Sequence, residues 1–179
     1  MSAILHTALG VAALALGFTV AARRKGTPAH KWTGRAYALA MLALCVSSLG
    51  IPAEVGPTWG RFGVFHAIAV AGVVYLAFGV LPVLWRGNVR DWYQRHLYFT
   101  LWSFVGLLMA TLSHVYEPVA LALMGPVALT PRSASIATAA LLWGVPTVLG
   151  TVFIERLKAK YRRKYGDGSS GGPGGLVGG

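Results

Sequence analysis

The chain has 179 residues, 55% of them hydrophobic and only 12% charged, well below the roughly 25% charged residues that keep an ordinary domain in water. With a mean hydropathy of +0.60, this composition excludes a water-soluble domain and points to an integral membrane protein. The formal net charge of +11 comes without an aromatic-studded basic groove, so it fits topology signals and anionic lipid head groups rather than nucleic acid.

A membrane span needs about 20 mainly apolar residues, and five windows qualify. The first is predicted over 2–22. Its arginines follow the apolar run instead of preceding it, the reverse of a cleaved signal peptide, so it reads as a span that stays. The second is predicted over 28–51, with Thr27 as N-cap and Pro28 at the first helical position. It opens on "HKWTGR" and contains the single cysteine, Cys45. With no partner and no CxxC, Cys45 reads as a small buried apolar residue. The third span is predicted over 59–84 with Thr58 as cap, and the fourth over 89–115 with Asn88 as cap. The stretch "ALALMGPVAL", 120–129, is too short to cross and fits the outer interface. The fifth span is predicted over 135–154, with a kink at Pro146. A basic stretch and a Gly-rich tail occupy 158–179, and the tail carries no fold signal. The expected fold class is all-α: a multi-pass membrane domain over 1–157, with spans one to four as a bundle and span five peripheral.

Lysines and arginines divide unevenly between the two sides. Five lie in the first loop and the mouth of span two, three around the third loop, and six in the C-terminal stretch. Only Arg61 and Arg132 fall on the other side. This asymmetry predicts a cytoplasmic C-terminus and an outside N-terminus, with anionic lipid on the cytoplasmic face.

The predicted span interiors hold no Asp, Glu, Lys or Arg, which lowers the case for a carboxylate-based pump or transporter. No Walker loop, GxSxG or HExxH is present. Five histidines remain. His6 and His66 fall near the outer face, on spans one and three. His30 and His96 fall near the inner face, on spans two and four. If those four spans form a bundle, spans one and three face each other, as do two and four. That gives one His–His pair at each membrane level.

Paired imidazoles on facing helices are what b-type haem takes as axial ligands. Arg35 and Arg95 stand beside the inner pair as partners for the propionates. Gly10 and Gly34, each four residues after a histidine, offer room for a flat macrocycle. The reading is a haem-b membrane protein passing electrons between the two faces to a membrane redox partner. Three alternatives stand beside it. His6, His66 and His114 on the outer side could hold zinc or copper, with Glu54 or Glu117 nearby. A quinone could occupy the same level. Or the histidines merely line interfaces in a non-catalytic accessory protein.

The pieces "HTALG", "HKWTGRAYALAMLAL" and "WRGNVRDWYQRHLYFTLW" resemble the bacterial predicted-membrane-protein family called domain of unknown function 2306. The resemblance covers roughly residues 4 to 117 and rests on His30, Gly34 and Arg35 and on Arg95 and His96. It implies a multi-pass protein of the bacterial cytoplasmic membrane and no settled chemistry. The alternating histidines also resemble transmembrane di-haem cytochromes b of the ascorbate-reducible type, which implies His6 with His66 on one haem and His30 with His96 on the other.

Overall fold

The computed structural model describes residues 3–53, 58–89, 91–125 and 129–165, and for Thr58 and residues 162–165 the backbone alone. Among the described residues the regular structure is helical, apart from one antiparallel pair of two-residue strands. The helices are α1 (Ala3–Ala22), α2 (Pro28–Leu49), α3 (Val64–Leu84), α4 (Trp92–Ser113), α5 (Tyr116–Met124), α6 (Pro131–Ala139) and α7 (Val145–Tyr165). The pair is β1 (Thr58–Trp59) with β2 (Phe62–Gly63). Five helical segments are long and apolar enough to cross a membrane: α1 to α4, and a fifth from Pro131 to Tyr161.

The start of α2 follows from its sequence. Thr27 Oγ1 accepts the His30 backbone N–H at 3.2 Å, and Pro28 stands where a missing N–H costs nothing. The third span begins five residues later than the sequence predicts. Residues 58–63 form the β1–β2 turn around Gly60, whose φ of +65° suits glycine, and Gly63 rather than Thr58 caps α3. Asn88 does not cap α4 either, since its N–H closes a turn onto the Trp85 carbonyl at 2.8 Å. Asp91 precedes the first residue of α4, with φ of 55°. His66 and His96 therefore sit in or just past the first turn of their helices.

The fifth span starts early, at Pro131, where Thr130 Oγ1 accepts the Ser133 N–H at 3.3 Å. It widens into a π turn over Ala140–Gly144, closed by the Val145 N–H on the Ala140 carbonyl. Pro146 has no N–H to give the Leu142 carbonyl, and a widened turn is one way a helix accommodates that loss. Beyond Ile154 the helix does not fray into a tail but continues through the basic stretch to Tyr165. The short segment after α4 is only in part the expected interface stretch. Helix α5 packs on α6, and residues 126–128 lie outside the described residues, as does the Gly-rich tail.

Around the bundle α1 packs on α2, α2 on α3, α3 on α4, and α4 back on α1, with α7 outside against α4. This is the expected arrangement, with α1 facing α3 and α2 facing α4 across the middle. The middle is closed by Ala13, Tyr37, Met41, Cys45, Ala69, Leu76, Phe104 and Leu107. Cys45 is buried there, as a small apolar residue should be.

One polar contact crosses the core. The Ser103 hydroxyl donates to the Thr100 carbonyl at 2.8 Å, so the Tyr37 hydroxyl donates to Ser103 Oγ at 2.9 Å. Tyr37→Phe removes that donor without stranding Ser103. It is expected to cost about 0.6 to 1.7 kcal/mol, the range of such bonds between membrane helices, read by unfolding in mixed micelles.

Candidate functional site

At the outer level the three imidazoles do not offer the same chemistry. His6 Nδ1 lies 2.7 Å from Ser47 Oγ, and the Ser47 hydroxyl already donates to the Leu44 carbonyl at 2.7 Å. Ser47 can then only accept, so His6 is protonated on Nδ1 and keeps its lone pair on Nε2. His66 is the opposite tautomer. Its Nδ1 accepts the Gly63 backbone N–H at 3.1 Å, so the ring hydrogen sits on Nε2. That Nε2 is buried without a hydrogen-bond partner among the described residues, on a side chain 6% exposed. His114 caps the end of α4 and stacks on Phe65 with ring centroids 6.3 Å apart, within electrostatic reach of His6.

The consequences for the outer readings are direct. An axial ligand must present a lone pair, whereas in this arrangement His66 Nε2 carries the ring hydrogen. Among the described residues no three His, Cys, Asp or Glu side chains gather as a metal-binding group. The His6, His66 and His114 rings are each occupied by a local partner or ring. Glu54 lies outside the described residues, and Glu117 sits in the first turn of α5.

The inner level differs. His96 Nδ1 lies 2.7 Å from the Gly79 carbonyl, to which it must donate, leaving the Nε2 lone pair free. A metal-ligating histidine is commonly oriented in this way by a backbone carbonyl. Helix α3 allows the contact because Gly79 lacks a side chain: a Cβ there would stand 2.6 Å from Thr100 Oγ1 and 3.0 Å from the Thr100 backbone nitrogen. Pro82, three residues on, also withholds the N–H that would hold the Phe78 carbonyl in the helical ladder. Across the bundle, His30 Nδ1 is buried without a hydrogen-bond partner among the described residues. His30 and His96 lie within electrostatic reach of each other.

Lys25 joins them, a residue that reads in the sequence only as a topology charge. Its Nζ donates to the Val20 and Ala21 carbonyls, each at 3.0 Å, closing the C-terminus of α1. Burial holds its ammonium below the usual lysine range. Its charge acts on both His30 and His96.

The arginines expected beside this pair point elsewhere. Arg35 follows His30 by five residues, about 140° round the helix, and its guanidinium lies 4.9 Å over the exposed Trp32 ring. Arg95 lines a cleft on the other side of α4. Gly10 and Gly34 are not clearings, since a Cβ on either would meet Leu44 or Val20 at ordinary contact distance; both serve the packing of α1 on α2. Two imidazoles and one cation thus share one end of the bundle, and the other three imidazoles lie at the opposite end.

A family model described as "Predicted membrane protein (DUF2306)" matches residues 3–157. No curated protein and no solved structure matches the chain.

Proposed function

The chain belongs to the DUF2306 family of predicted membrane proteins, and we propose that it carries one b-type haem at the inner level, held by His30 and His96. The observation that carries this reading is the inner pair itself. His96 is oriented through Nδ1 on the Gly79 carbonyl, and His30 Nδ1 is buried without a partner at the same level. When bound, the haem supplies one-electron oxidation and reduction.

The chain's own residues do the rest. The Gly79 carbonyl fixes the His96 tautomer and raises the basicity of its Nε2. Lys25 would supply the positive charge for the propionates, the role expected of Arg35 and Arg95. The helices hold the imidazoles away from water. The basic loops face the cytoplasm with the N-terminus outside, in a bacterial cytoplasmic membrane. A haem held there would exchange electrons at the cytoplasmic face with a membrane redox partner.

Titration of haemin into the detergent-purified protein tests the stoichiometry. One haem per chain is expected. Two per chain would restore the outer pair as ligands, and none would remove the reading.

A second reading belongs to the outer histidines, favoured by the Gly63 N–H on His66 Nδ1. There the imidazole closes the first turn of α3 as a structural element. His66→Ala is accordingly expected to leave haem affinity within about twofold while lowering stability by about 1 kcal/mol, the usual worth of a lost helix cap.

A further inference from the structure

A cleft of about 470 Å³ opens between the first two turns of α4 and the basic end of the fifth span. It lies apart from the histidines. Its lining includes Asp91, Arg95, Tyr98, Phe99, Glu155 and Lys158. The lining sets two cations beside two anions, with Tyr98 and Phe99 as its aromatic part. Lys158 bridges two of these groups, donating to Glu155 at 2.8 Å and lying 5.4 Å over the Tyr98 ring. The Arg95 guanidinium has no partner among the described residues. Toward the N-terminal half of α7, Val148, Leu149, Val152 and Phe153 are exposed.

We propose that this cleft binds the headgroup of a phosphoethanolamine lipid. An arginine fork matches the planar pair of oxygens on a phosphate, and Arg95 offers one at the boundary where headgroups lie. Glu155 offers a carboxylate to a primary ammonium. An anionic lipid gains from Arg95 but brings no cation to Glu155. A choline headgroup carries no N–H to donate to Glu155. The exposed apolar face of α7 continues the site into the hydrocarbon, where acyl chains run. The four charges make the cleft selective for a zwitterion with a donating ammonium, on a face whose overall charge favours anionic lipid.

The test uses the full chain reconstituted into vesicles of equal parts phosphatidylethanolamine, phosphatidylglycerol and phosphatidylcholine. The protein is re-extracted in mild detergent, and the lipid retained per chain is counted by mass spectrometry. Wild type is expected to retain phosphatidylethanolamine about tenfold over either competitor, as one charge-assisted pair implies. Arg95→Gln is expected to lose that retained lipid, and Glu155→Gln to shift the preference to phosphatidylglycerol. Arg61→Gln, on the opposite face, is expected to change neither. Equal retention of the three lipids by wild type overturns the proposal, as does unchanged selectivity in Glu155→Gln, and the latter decides the matter if Arg95→Gln does not fold.

Discussion

His96→Ala is expected to lower haem affinity by at least about 100-fold, the upper end of what disturbing even a residue behind a metal ligand costs. The substitution removes an imidazole whose tautomer is set by a backbone carbonyl, and with it the Nε2 lone pair that carbonyl directs. His30→Ala should act in the same direction, because two axial nitrogens are needed. His6→Ala and His66→Ala should not, since they remove groups tied to Ser47 and Gly63 at the other level. Haem titration of the four variants separates these outcomes. An equal loss in all four would mean that the histidines act through folding alone.

Gly79→Ala carries the second large effect. The added Cβ meets Thr100 Oγ1 at 2.6 Å and the Thr100 backbone nitrogen at 3.0 Å. A hydroxyl can rotate away, but a backbone nitrogen cannot, so α3 and α4 must separate. Overpacking of this kind costs about 1 to 3 kcal/mol. The Gly79 carbonyl also leaves its place beneath His96, and a fall of about 10- to 100-fold in haem affinity should accompany the loss of stability. Gly106→Ala is the matched control, because a Cβ there meets nothing within 4 Å. It is expected to stay within about 1 kcal/mol of wild type. If the two variants behave alike in unfolding and in haem titration, close packing at Gly79 is not what positions His96.

Hydropathy made the five spans legible because each span is a continuous apolar run, and a bilayer demands that length. The same measure misplaced their ends. Trp59 and Phe62 are apolar and so counted as span, yet Gly60 turns the chain between them. The start of the fifth span was readable by a rule already applied elsewhere. Thr130 and Pro131 repeat the Thr27 and Pro28 pair that opens α2, but the polar "RSAS" that follows hid the helix from a hydropathy window. Which end of the bundle each histidine lies at followed from the alternation of the spans. Their tautomers did not, because the partners that set them, Ser47 for His6 and Gly79 for His96, lie 41 and 17 residues away. His66 is the exception, since its partner Gly63 is three residues back and depends only on where α3 begins. Arg35 was misread for a periodic reason: a spacing of five carries a side chain round to another face of its helix. Lys25 was passed over because a charge in a loop looks the same whether it meets water or closes a helix end.

The central claim is that the inner imidazole pair holds an iron porphyrin, and a dithionite-reduced minus air-oxidised visible spectrum of the purified protein, expressed with haem supplied, tests it most directly. The expected result is a sharp α band at about 560 nm, where bis-imidazole haem absorbs, at an intensity of one haem per chain. A flat difference spectrum from protein that is folded and haem-supplied contradicts the claim and returns His30 and His96 to the packing of the bundle.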